Sequence, residues 1–300
     1  MEPGGRIIVA NTPAGRLYVV ATPIGNLGDL SPRARQVLEG CALVAAEDTR
    51  HSGVLLRHFQ IATPLVSLHE HNERRRAPQL LARLTAGADV ALISDAGTPA
   101  ISDPGFELVR AAIEAGVEVV AVPGPCAAIA ALSIAGLATA EFSFLGFLPA
   151  RASARRRRLG ELAAEPRTLV FYESPHRLGE MLADCASAFG ATRGAALGRE
   201  LTKLHEQVHR GTLGELAALA AREADVSRGE LVVLVEGAAV AAADAPGGSS
   251  SGAPLDQALR VLLEELPLAQ AARLAARICG ARDNEAYRRA LALRATSGSQ

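Results

Sequence analysis

The stretch LYVVATPIGNLGDLSPRARQVLEG, residues 17–40, contains an apolar run, then a loop rich in glycine and proline, then an amphipathic segment. The apolar run, Leu17 to Ala21, has the length of a β-strand. Ser31 is a preferred helix cap, Pro32 suits a first helical turn and Gly40 suits a helix end. The stretch therefore predicts a strand that leads through a loop into a helix.

Apolar runs of strand length recur along the chain, with helical stretches between them. This alternation predicts an α/β fold with parallel or mixed sheets. The runs are continuously apolar, which favours strands covered on both faces, although a short run alone also fits a piece of buried helix. The further runs are Leu43 to Ala46, Val90 to Ile93, Val117 to Val122, Leu169 to Tyr172 and Leu231 to Val235.

Composition limits the class of protein. The 300 residues are 49% apolar, enough for one large domain or two ordinary ones with a sizeable core. The net charge of −1 gives no global signature of a nucleic-acid or membrane binder, so such a partner needs a local patch. Four scattered cysteines without CxxC spacing argue against disulfides and structural zinc, and favour a reducing cytoplasm. No apolar stretch has membrane-spanning length, so we expect no membrane partner.

Two breaks in composition divide the chain. The segment between Gly146 and Pro166 becomes basic and helical, which is typical of a domain junction. The segment 238–254 is rich in Ala, Gly, Ser and Pro and predicts a flexible linker. Beyond it we expect a small helical appendage with Leu259, Leu274, Ile278, Tyr287 and Leu291 among its inward residues. The predicted division is an N-terminal extension 1–15, α/β domains 16–148 and 149–237, the linker 238–254, and a helical domain 255–295.

Four loops rich in Gly and Pro follow predicted strands, where open α/β sheets bind ligands. Each alone is also explained by tight turns, but four together favour a binding site. None matches the dinucleotide or P-loop pattern. The loops are TPIGNL from Thr22, SDAGTP from Ser94 running into SDPG from Ser102, PGPC from Pro123, and YESPHR from Tyr172.

The second of these loops carries chemical information. Gly97 permits close approach of a ligand to the backbone, and Asp95 and Asp103 place carboxylates beside it. A cationic or hydroxyl-rich ligand suits this pattern. A metal is the poorer interpretation, because no histidine or third carboxylate stands at ligand spacing.

Polar side chains cluster at residues 47–51, 69–76 and 199–206. His69 and His71 fit an exposed pair as well as a zinc pair, and further zinc ligands are missing. Lys203 is the only lysine in the chain, by chance or because a site needs a compact ammonium. The arginines of 151–158 fit a solvated helix face or a phosphate-binding patch. Few aromatic residues, 3%, argue against a stacking platform for single strands.

A series of motifs in order from Arg16 to Gly237 resembles the family of ribosomal RNA small subunit methyltransferases I, within the tetrapyrrole methylase superfamily. The tail 255–293 is also similar to that family's helical C-terminal region, whereas the linker matches nothing. The motifs are LYVVATPIGNLGDLSPRA, EDTR, SLHEHNE, ALISDAGTPAISDPG, VPGPCAA, FLP, FYESPHR, GRELTKLHE and RGELVVLVEG.

The resemblance implies two α/β domains with S-adenosylmethionine in the cleft between them, and a homodimer. It implies methylation of the ribose 2′-hydroxyl of a decoding-centre cytidine in 16S rRNA, as free rRNA or in the assembled small subunit. The cofactor is then expected to contact Pro23, Ile24, Asp95, Ala96, Gly97, Thr98, Cys126, Ala127, Tyr172, Glu173 and Gly229.

A ribose hydroxyl needs a base or acceptor for its proton. The candidates are Glu47, Asp48, His69, Glu173 and Glu200, and our first hypothesis is the cluster from Glu47 to Arg50. We expect Arg50, Arg177, Arg199 and Lys203 to hold phosphate or the acceptor ribose, and His69, Arg155, Arg156, Arg157 and Arg158 to contact RNA.

Two other functions remain as alternatives. The same fold also fits a methyltransferase acting on a tetrapyrrole, another small molecule or a modified histidine on a protein, although the tail and the arginine run favour RNA. A nucleotide-binding module without catalysis needs the four loops but leaves the polar clusters unused. A hydrolase is least favoured, because the GxSxG pattern is absent from the sequence.

Overall fold

A computed structural model describes residues 14–239 and 252–297. Contacts divide the chain into two compact units, residues 1–238 and 239–300. The first unit is α/β, as predicted. Its strands are β1 (Leu17–Val20), β2 (Leu43–Ala46), β3 (Leu65–Ser67), β4 (Val90–Ile93), β5 (Val119–Val122), β6 (Phe142–Phe147), β7 (Thr168–Glu173), β8 (Gly194–Arg199), β9 (Gln207–Thr212) and β10 (Leu231–Val235). Its helices are α1 (Pro32–Gly40), α2 (Thr49–His58), α3 (Glu73–Thr85), α4 (Phe106–Glu114), α5 (Ala127–Ala135), α6 (Ala152–Leu162), α7 (Leu178–Phe189) and α8 (Leu213–Arg222).

The first sheet is parallel throughout, in the order β3-β2-β4-β1-β5. Alternate residues of its strands enter two separate apolar clusters, one on each face, so the continuous runs in the sequence do mark strands buried on both sides. Helix α1 begins as the sequence predicts, with the Ser31 hydroxyl accepting the N–H of Ala34 at 3.0 Å. The carboxyl ends of β1, β2, β4 and β5 therefore lie at the same edge of this sheet.

The second sheet is mixed, in the order β6-β7-β10-β8-β9. Only β6 and β7 run parallel, and β10 is antiparallel to both β7 and β8. Because β6 pairs with β7, the division after residue 148 places one strand in the wrong domain: Phe142–Phe147 belongs to the second sheet. The boundary between the two sheets therefore lies between α5 and β6.

Helix α5 connects the two sheets physically. It follows β5 of the first sheet, but its small buried residues, Ala128 and Ala131, pack with Val170 and Val232 of the second sheet. Apolar burial thus continues from one sheet to the other within the first unit, and α5 brings the loop at its start to the edge where β7 ends and β10 begins.

The described residues of the second unit form three helices: α9 (Gly252–Glu265), α10 (Leu268–Cys279) and α11 (Asp283–Ser297). Leu259 is buried, as expected, but Leu274, Ile278, Tyr287 and Leu291 are exposed rather than inward. The core uses small side chains instead, which lets the helices approach closely: Ala272, Ala275, Ala276, Ala286 and Ala290. Most of the predicted linker 238–254 and most of the extension 1–15 lie outside the described residues.

Candidate functional site

The loops after β1 and β4 join at the carboxyl edge of the first sheet. The backbone N–H of Thr22 donates to Gly97 O at 2.9 Å, and the N–H of Gly97 donates to Thr22 O at 3.0 Å. The Thr98 hydroxyl donates to Pro125 O at 3.0 Å, which ties in the loop after β5. Three of the loops selected from the sequence therefore form one hydrogen-bonded rim.

The fourth loop faces this rim from the second sheet. The Tyr172 hydroxyl at the end of β7 accepts the N–H of Ala128 at 3.2 Å, from the first turn of α5. Between the two sides lies a cavity of about 310 Å³, within the size range of small-molecule sites. Its wall is mainly apolar: Ile24, Ala96, Ile101, Cys126, Ala127, Phe147, Leu201, Leu231 and Val232 contribute.

The charged residues in the wall of this cavity are acidic. Asp103, Glu173 and Glu230 line it, and among its lining residues in the described part of the chain there is no Lys, Arg or His. A cation is therefore favoured over an anion in the cavity, as the sequence pattern of the second loop suggests.

Residues expected to contact the cofactor converge here. All of them line the cavity except Pro23 and Asp95. Asp95 instead accepts the backbone N–H of Asp48 at 3.0 Å and so joins the ends of β4 and β2. The twelve-residue loop 94–105 thus supplies six residues of the cavity wall and, through Asp95, a hydrogen bond that supports it.

A group of three carboxylates stands at the ends of β2 and β4. Burial, followed by the charges of Asp103 and Asp95, raises the pKa of Glu47. Burial and the charge of Asp95 also raise the pKa of Asp103, which accepts a hydrogen bond from Ser94. Glu47 and Asp103 therefore hold protons more tightly than free carboxylates do.

The side chains that we expected to take part in catalysis lie outside the cavity wall. None of Glu47, Asp48, Arg50, Glu200 and Lys203 lines the cavity. Asp48 caps α2 by accepting the N–H of Arg50 at 2.8 Å, and it pairs with the Arg50 guanidinium at 2.6 Å. The hydrogen bonds from Arg50 lower the pKa of Asp48 far below its usual range. Asp48 is thus a helix cap and a weak base, which argues against our first choice.

Lys203 lies over the first loop. Its Nζ is 2.9 Å from Glu200 Oε1 and 3.4 Å from Glu230 Oε1. A Cβ on Gly25 would lie 2.3 Å from Lys203 Cγ, so the lysine stem occupies the space that the glycine leaves. The Lys203–Glu200 pair therefore lies within the loops of the second sheet, and only the lysine stem packs against the first loop, at Gly25.

The arginine run is not one uniform surface. Arg155 is 2% exposed and pairs with Asp184 at 2.7 Å and Glu180 at 3.0 Å, so its expected RNA contact is wrong for this structure. Arg156 pairs with Asp184 and Arg158 with Glu161, yet both remain substantially exposed. Arg157 is exposed. Within the run, Arg151, Arg156, Arg157 and Arg158 are exposed and can receive phosphate.

Two further arginines hold protein atoms. The Arg177 Nη2 donates to Leu148 O at 2.8 Å and lies 3.4 Å from Glu173 Oε2, a carboxylate with no exposed side-chain surface. The Arg199 Nε donates to Arg228 O at 2.9 Å. Their guanidinium groups fix the loops at the edge of the second sheet, rather than projecting toward a ligand as expected.

Glu73 is a supporting residue that our sequence analysis missed. Its Oε1 accepts backbone N–H groups of Gly105 at 3.0 Å and Glu107 at 2.9 Å, at the start of α4. The motif SLHEHNE contained this residue, but only the pair His69 and His71 drew attention. His69 lies outside the cavity wall, and its ring is 6.0 Å from that of His71.

Within 14–239 and 252–297, no three His, Cys, Asp or Glu side chains are grouped to hold a metal ion. In the same ranges, no helix combines the length and apolar character needed to cross a membrane.

Comparisons with known proteins agree with this architecture. Residues 16–217 match the family model of Tetrapyrrole (Corrin/Porphyrin) Methylases, and residues 249–294 match the RsmI C-terminal HTH domain. Among solved structures, a uroporphyrin III C-methyl transferase from Thermus thermophilus, complexed with S-adenyl homocysteine, has a TM-score of 0.53 at 22% identity. It covers 73% of this chain and 97% of its own. The methyltransferase CobJ has a TM-score of 0.57 at 20% identity, over 75% of this chain and 95% of its own.

The first unit has a parallel sheet and a mixed sheet, with a cavity between the loops of the two sheets. This architecture is that of the tetrapyrrole methylase class. Sequence relatives narrow the class. A ribosomal RNA small subunit methyltransferase I from Pseudomonas aeruginosa is 56% identical over 267 residues, which cover 89% of this chain and 93% of the relative. One from Escherichia coli O157:H7 is 49% identical over 266 residues, 89% of this chain and 91% of the relative. The chain belongs to the tetrapyrrole methylase family, in its ribosomal RNA small subunit methyltransferase I branch.

Proposed function

We propose that this protein transfers a methyl group from S-adenosylmethionine to 16S rRNA of the small ribosomal subunit, at the ribose 2′-hydroxyl of a decoding-centre cytidine. The observation that carries the proposal is the sequence similarity to ribosomal RNA small subunit methyltransferases I over almost the whole chain. The similarity includes both the methylase region and the C-terminal helices. The choice of cytidine and of the ribose oxygen comes from the motif resemblance described above.

The residues of the cavity fit the cofactor. S-adenosylmethionine supplies an electrophilic methyl group on a sulfonium, and it also carries an ammonium. The acidic side chains Asp103, Glu173 and Glu230 suit these positive charges, although Glu173 Oε2 already faces the Arg177 guanidinium at 3.4 Å. The apolar wall, including Ile24 and Val232, suits the flat adenine ring and the thioether.

The protein contributes mainly orientation. Methyl transfer is an in-line displacement, so the site must hold the donor carbon and the acceptor oxygen in line and accept one proton. The hydrogen-bonded rim at Thr22, Gly97 and Thr98 makes the loops mutually rigid before any ligand enters. Such preorganisation lowers the entropic cost of reaching the reactive geometry.

An exposed basic surface begins close to the cavity. Phe147 lines the cavity and is 55% exposed, and α6 starts five residues later with exposed Arg156, Arg157 and Arg158 on its surface. Phosphate contacts from such a surface fix the position of RNA without reading its sequence. We propose that this surface holds the rRNA backbone while the acceptor nucleotide reaches the cavity.

We also propose a cytoplasmic homodimer. Helices α4 and α5 expose large apolar side chains, namely Phe106, Ile113, Ile129 and Ile134. Burial of such a patch stabilises association. Light scattering on the purified protein tests this part, and a monomer at micromolar concentration would contradict it.

The main test is methyl transfer from labelled S-adenosylmethionine to purified small subunits and, in parallel, to naked 16S rRNA. Ribose-methylation mapping then locates the product. We expect label on a decoding-centre cytidine ribose. If the cofactor binds and neither RNA is labelled, the RNA acceptor is wrong, and tetrapyrroles become the next substrates because the solved neighbours named above include uroporphyrin methyltransferases.

A further inference from the structure

Phe147 is the last residue of β6, and it lies in the wall of the cavity with 55% of its surface exposed. We propose that its ring is the platform on which the base of the acceptor nucleotide stacks while the ribose hydroxyl meets the methyl group. This inference rests on the proposed methyltransferase function and adds a side chain that positions the acceptor nucleotide at the cavity.

The large apolar side chains of the wall differ in exposure. Ile101 and Phe147 are 42% and 55% exposed, and they mark the opening of the cavity, where a second substrate must enter to reach a bound cofactor. Isolated exposed apolar residues are common on protein surfaces, but Phe147 stands at the opening of a ligand site. The buried members of the wall form its closed part and include Ile24, Leu201, Leu231 and Val232.

The backbone of β6 directs the ring. The pairing of β6 with β7 shifts register between Phe144 and Gly146, and Gly146 has a φ of +61°, in the left-handed region that favours glycine. An irregularity of this kind re-aims the side chain that follows it. A Cβ on Gly146 would lie 2.7 Å from Ser102 Oγ, so the strand passes close to the loop between β4 and α4. Phe147 therefore stands where the second sheet meets a loop of the first.

Tyr172 supports the ring from the protein side. The ring centroids of Phe147 and Tyr172 are 5.7 Å apart with an angle of 60° between the ring planes, and the Tyr172 ring also packs against Phe144 at 5.0 Å. Edge-to-face pairs of this kind are favourable. The Tyr172 hydroxyl accepts the N–H of Ala128 at 3.2 Å, which fixes this ring to α5. The Phe147 ring is thus held in place before an RNA arrives, and more than half of the residue remains free for a ligand.

A nucleotide base suits this exposed ring. Proteins commonly hold unpaired bases by stacking them on aromatic side chains, since every base has a flat aromatic face. An aromatic content of 3% is too low for a platform that binds a run of bases, but a single acceptor nucleotide needs only one ring. The exposed Arg156 and Arg157 follow on α6. Segment 147–158 therefore combines a surface for a base with groups that suit the adjoining phosphates.

The test compares Phe147→Ala, Phe147→Leu and Phe147→Tyr with the matched control Phe142→Ala. Phe142 begins the same strand, is 37% exposed and lies outside the cavity wall. For each protein, circular dichroism measures folding, calorimetry measures the affinity for S-adenosylhomocysteine, and initial rates of methylation of small subunits give kcat and KM. Filter binding at several salt concentrations measures the salt dependence of binding to small subunits.

We expect Phe147→Ala to lower kcat/KM for small subunits by about 5- to 150-fold, the range that corresponds to the loss of one base–aromatic stack. Phe147→Leu loses nearly as much, because leucine is apolar but has no ring. Phe147→Tyr retains a ring and stays within about threefold of wild type, as does Phe142→Ala. The affinity for S-adenosylhomocysteine is retained in all of these variants. The salt dependence of binding is also unchanged, because no phosphate contact is lost.

Other outcomes separate the two proposals. If Phe147→Ala or Phe147→Leu keeps a wild-type kcat/KM, the ring does not stack on a base and the proposed function stands. If the affinity for S-adenosylhomocysteine falls by the same factor as kcat/KM, the ring holds the cofactor instead. Should Phe147→Ala fail to fold, the comparison of Phe147→Leu with Phe147→Tyr decides the question. If the wild-type protein labels neither small subunits nor 16S rRNA, the proposed function fails and the assignment of Phe147 fails with it.

Discussion

Glu73, the first residue of α3, accepts a hydrogen bond at 3.0 Å from the backbone N–H of Gly105, which precedes α4. The same carboxylate oxygen accepts the N–H of Glu107. With the N–H of Leu108, which is 3.4 Å from the same oxygen, three backbone donors at the start of α4 would otherwise have no acceptor. Glu73 is 8% exposed, so these hydrogen bonds compete little with water. The segment 98–105 is thus anchored at its end by a residue that lies 32 positions earlier in the chain.

We expect Glu73→Ala to lower the free energy of unfolding by about 1–3 kcal/mol, since it leaves buried backbone donors without an acceptor. It also lowers methylation activity, because the loop that carries Asp103 loses its anchor. Glu73→Gln retains an acceptor oxygen and loses less of both. Urea denaturation and single-turnover assays measure the two effects, and the exposed neighbour Glu70→Ala is the control. Equal losses in Glu73→Ala and Glu70→Ala would exclude the anchoring role.

The contact between Gly25 and Lys203 predicts non-additive mutations. Gly25→Ala places a methyl group 2.3 Å from Lys203 Cγ and also strains the backbone, whose φ there is +151°. We expect it to weaken S-adenosylhomocysteine binding and stability, because Lys203 must leave Glu200 and Glu230. In the double variant Gly25→Ala/Lys203→Ala the steric clash is absent. The free energies lost by the two single variants therefore add up to about 0.5–3 kcal/mol more than the free energy lost by the double variant. Strictly additive free energies would show that the lysine stem does not occupy this space.

Arg155 and Arg157 allow a direct separation of stability from RNA binding. Arg155→Gln leaves Asp184, whose side chain is 14% exposed, without its buried partner, and we expect a loss of about 3 kcal/mol in stability. Arg157→Gln leaves stability unchanged, weakens binding to small subunits and reduces the salt dependence of that binding by about one phosphate contact. Filter binding from 50 to 300 mM salt measures the slope. If Arg157→Gln leaves the salt dependence of binding unchanged, this surface is only a solvated helix face and does not contact RNA phosphates.

The strands that the sequence predicted are those whose every residue is apolar. Leu43–Ala46, Val90–Ile93 and Leu231–Val235 form with the predicted bounds, because sheets covered on both faces need such runs. The strand β9, QVHRGT, was missed since it lies at the edge of its sheet and carries polar side chains. β6 was missed because its sequence, FSFLGF, is interrupted by a serine and a glycine and is partly exposed.

The parts of the site that lie in loops directly after predicted strands could be predicted from the sequence. The parts that depend on contacts between residues distant in the sequence could not. Loops rich in glycine and proline after strands led to Gly97, Cys126 and Tyr172, which do line one cavity. Sequence alone does not reveal that Arg155 meets Asp184 on α7, or that Glu73 meets Gly105, because both pairings follow from tertiary packing. The choice of Asp48 as base stays a prediction that the structure argues against, because the Asp48 carboxylate caps α2 and pairs with Arg50, two positions along the chain.

The cysteines predict a protection experiment. Cys126 lines the cavity, whereas Cys41 and Cys185 are buried, and burial raises the pKa of each of these two thiols to about 12. We expect N-ethylmaleimide to modify Cys126 in the native protein and to spare Cys41 and Cys185, because the thiolate is the reactive form. S-adenosylhomocysteine protects Cys126 if it occupies the cavity. Peptide mass mapping reports each cysteine separately, and modification of Cys126 at the same rate with and without the ligand would contradict the assigned site.

The carboxylate group at the cavity predicts a pH-dependent cost in stability. The pKa of Glu47 is raised in the folded protein by burial and by the charges of Asp103 and Asp95, so the native state binds this proton more tightly than the unfolded state does. Where the unfolded chain binds fewer protons, stability falls as pH rises. The fall begins near the ordinary glutamate pKa of about 4.3 and is complete above the raised value, so at neutral pH the ionised group destabilises the fold.

We therefore expect Glu47→Gln, which removes the charge, to raise the melting temperature at pH 8 and to leave it nearly unchanged at pH 4. Scanning calorimetry across this range measures the effect, with the exposed Glu70→Gln as the matched control. A lower melting temperature for Glu47→Gln at pH 8 would mean that the carboxylate stabilises the loops through hydrogen bonds more than its charge repels Asp95 and Asp103.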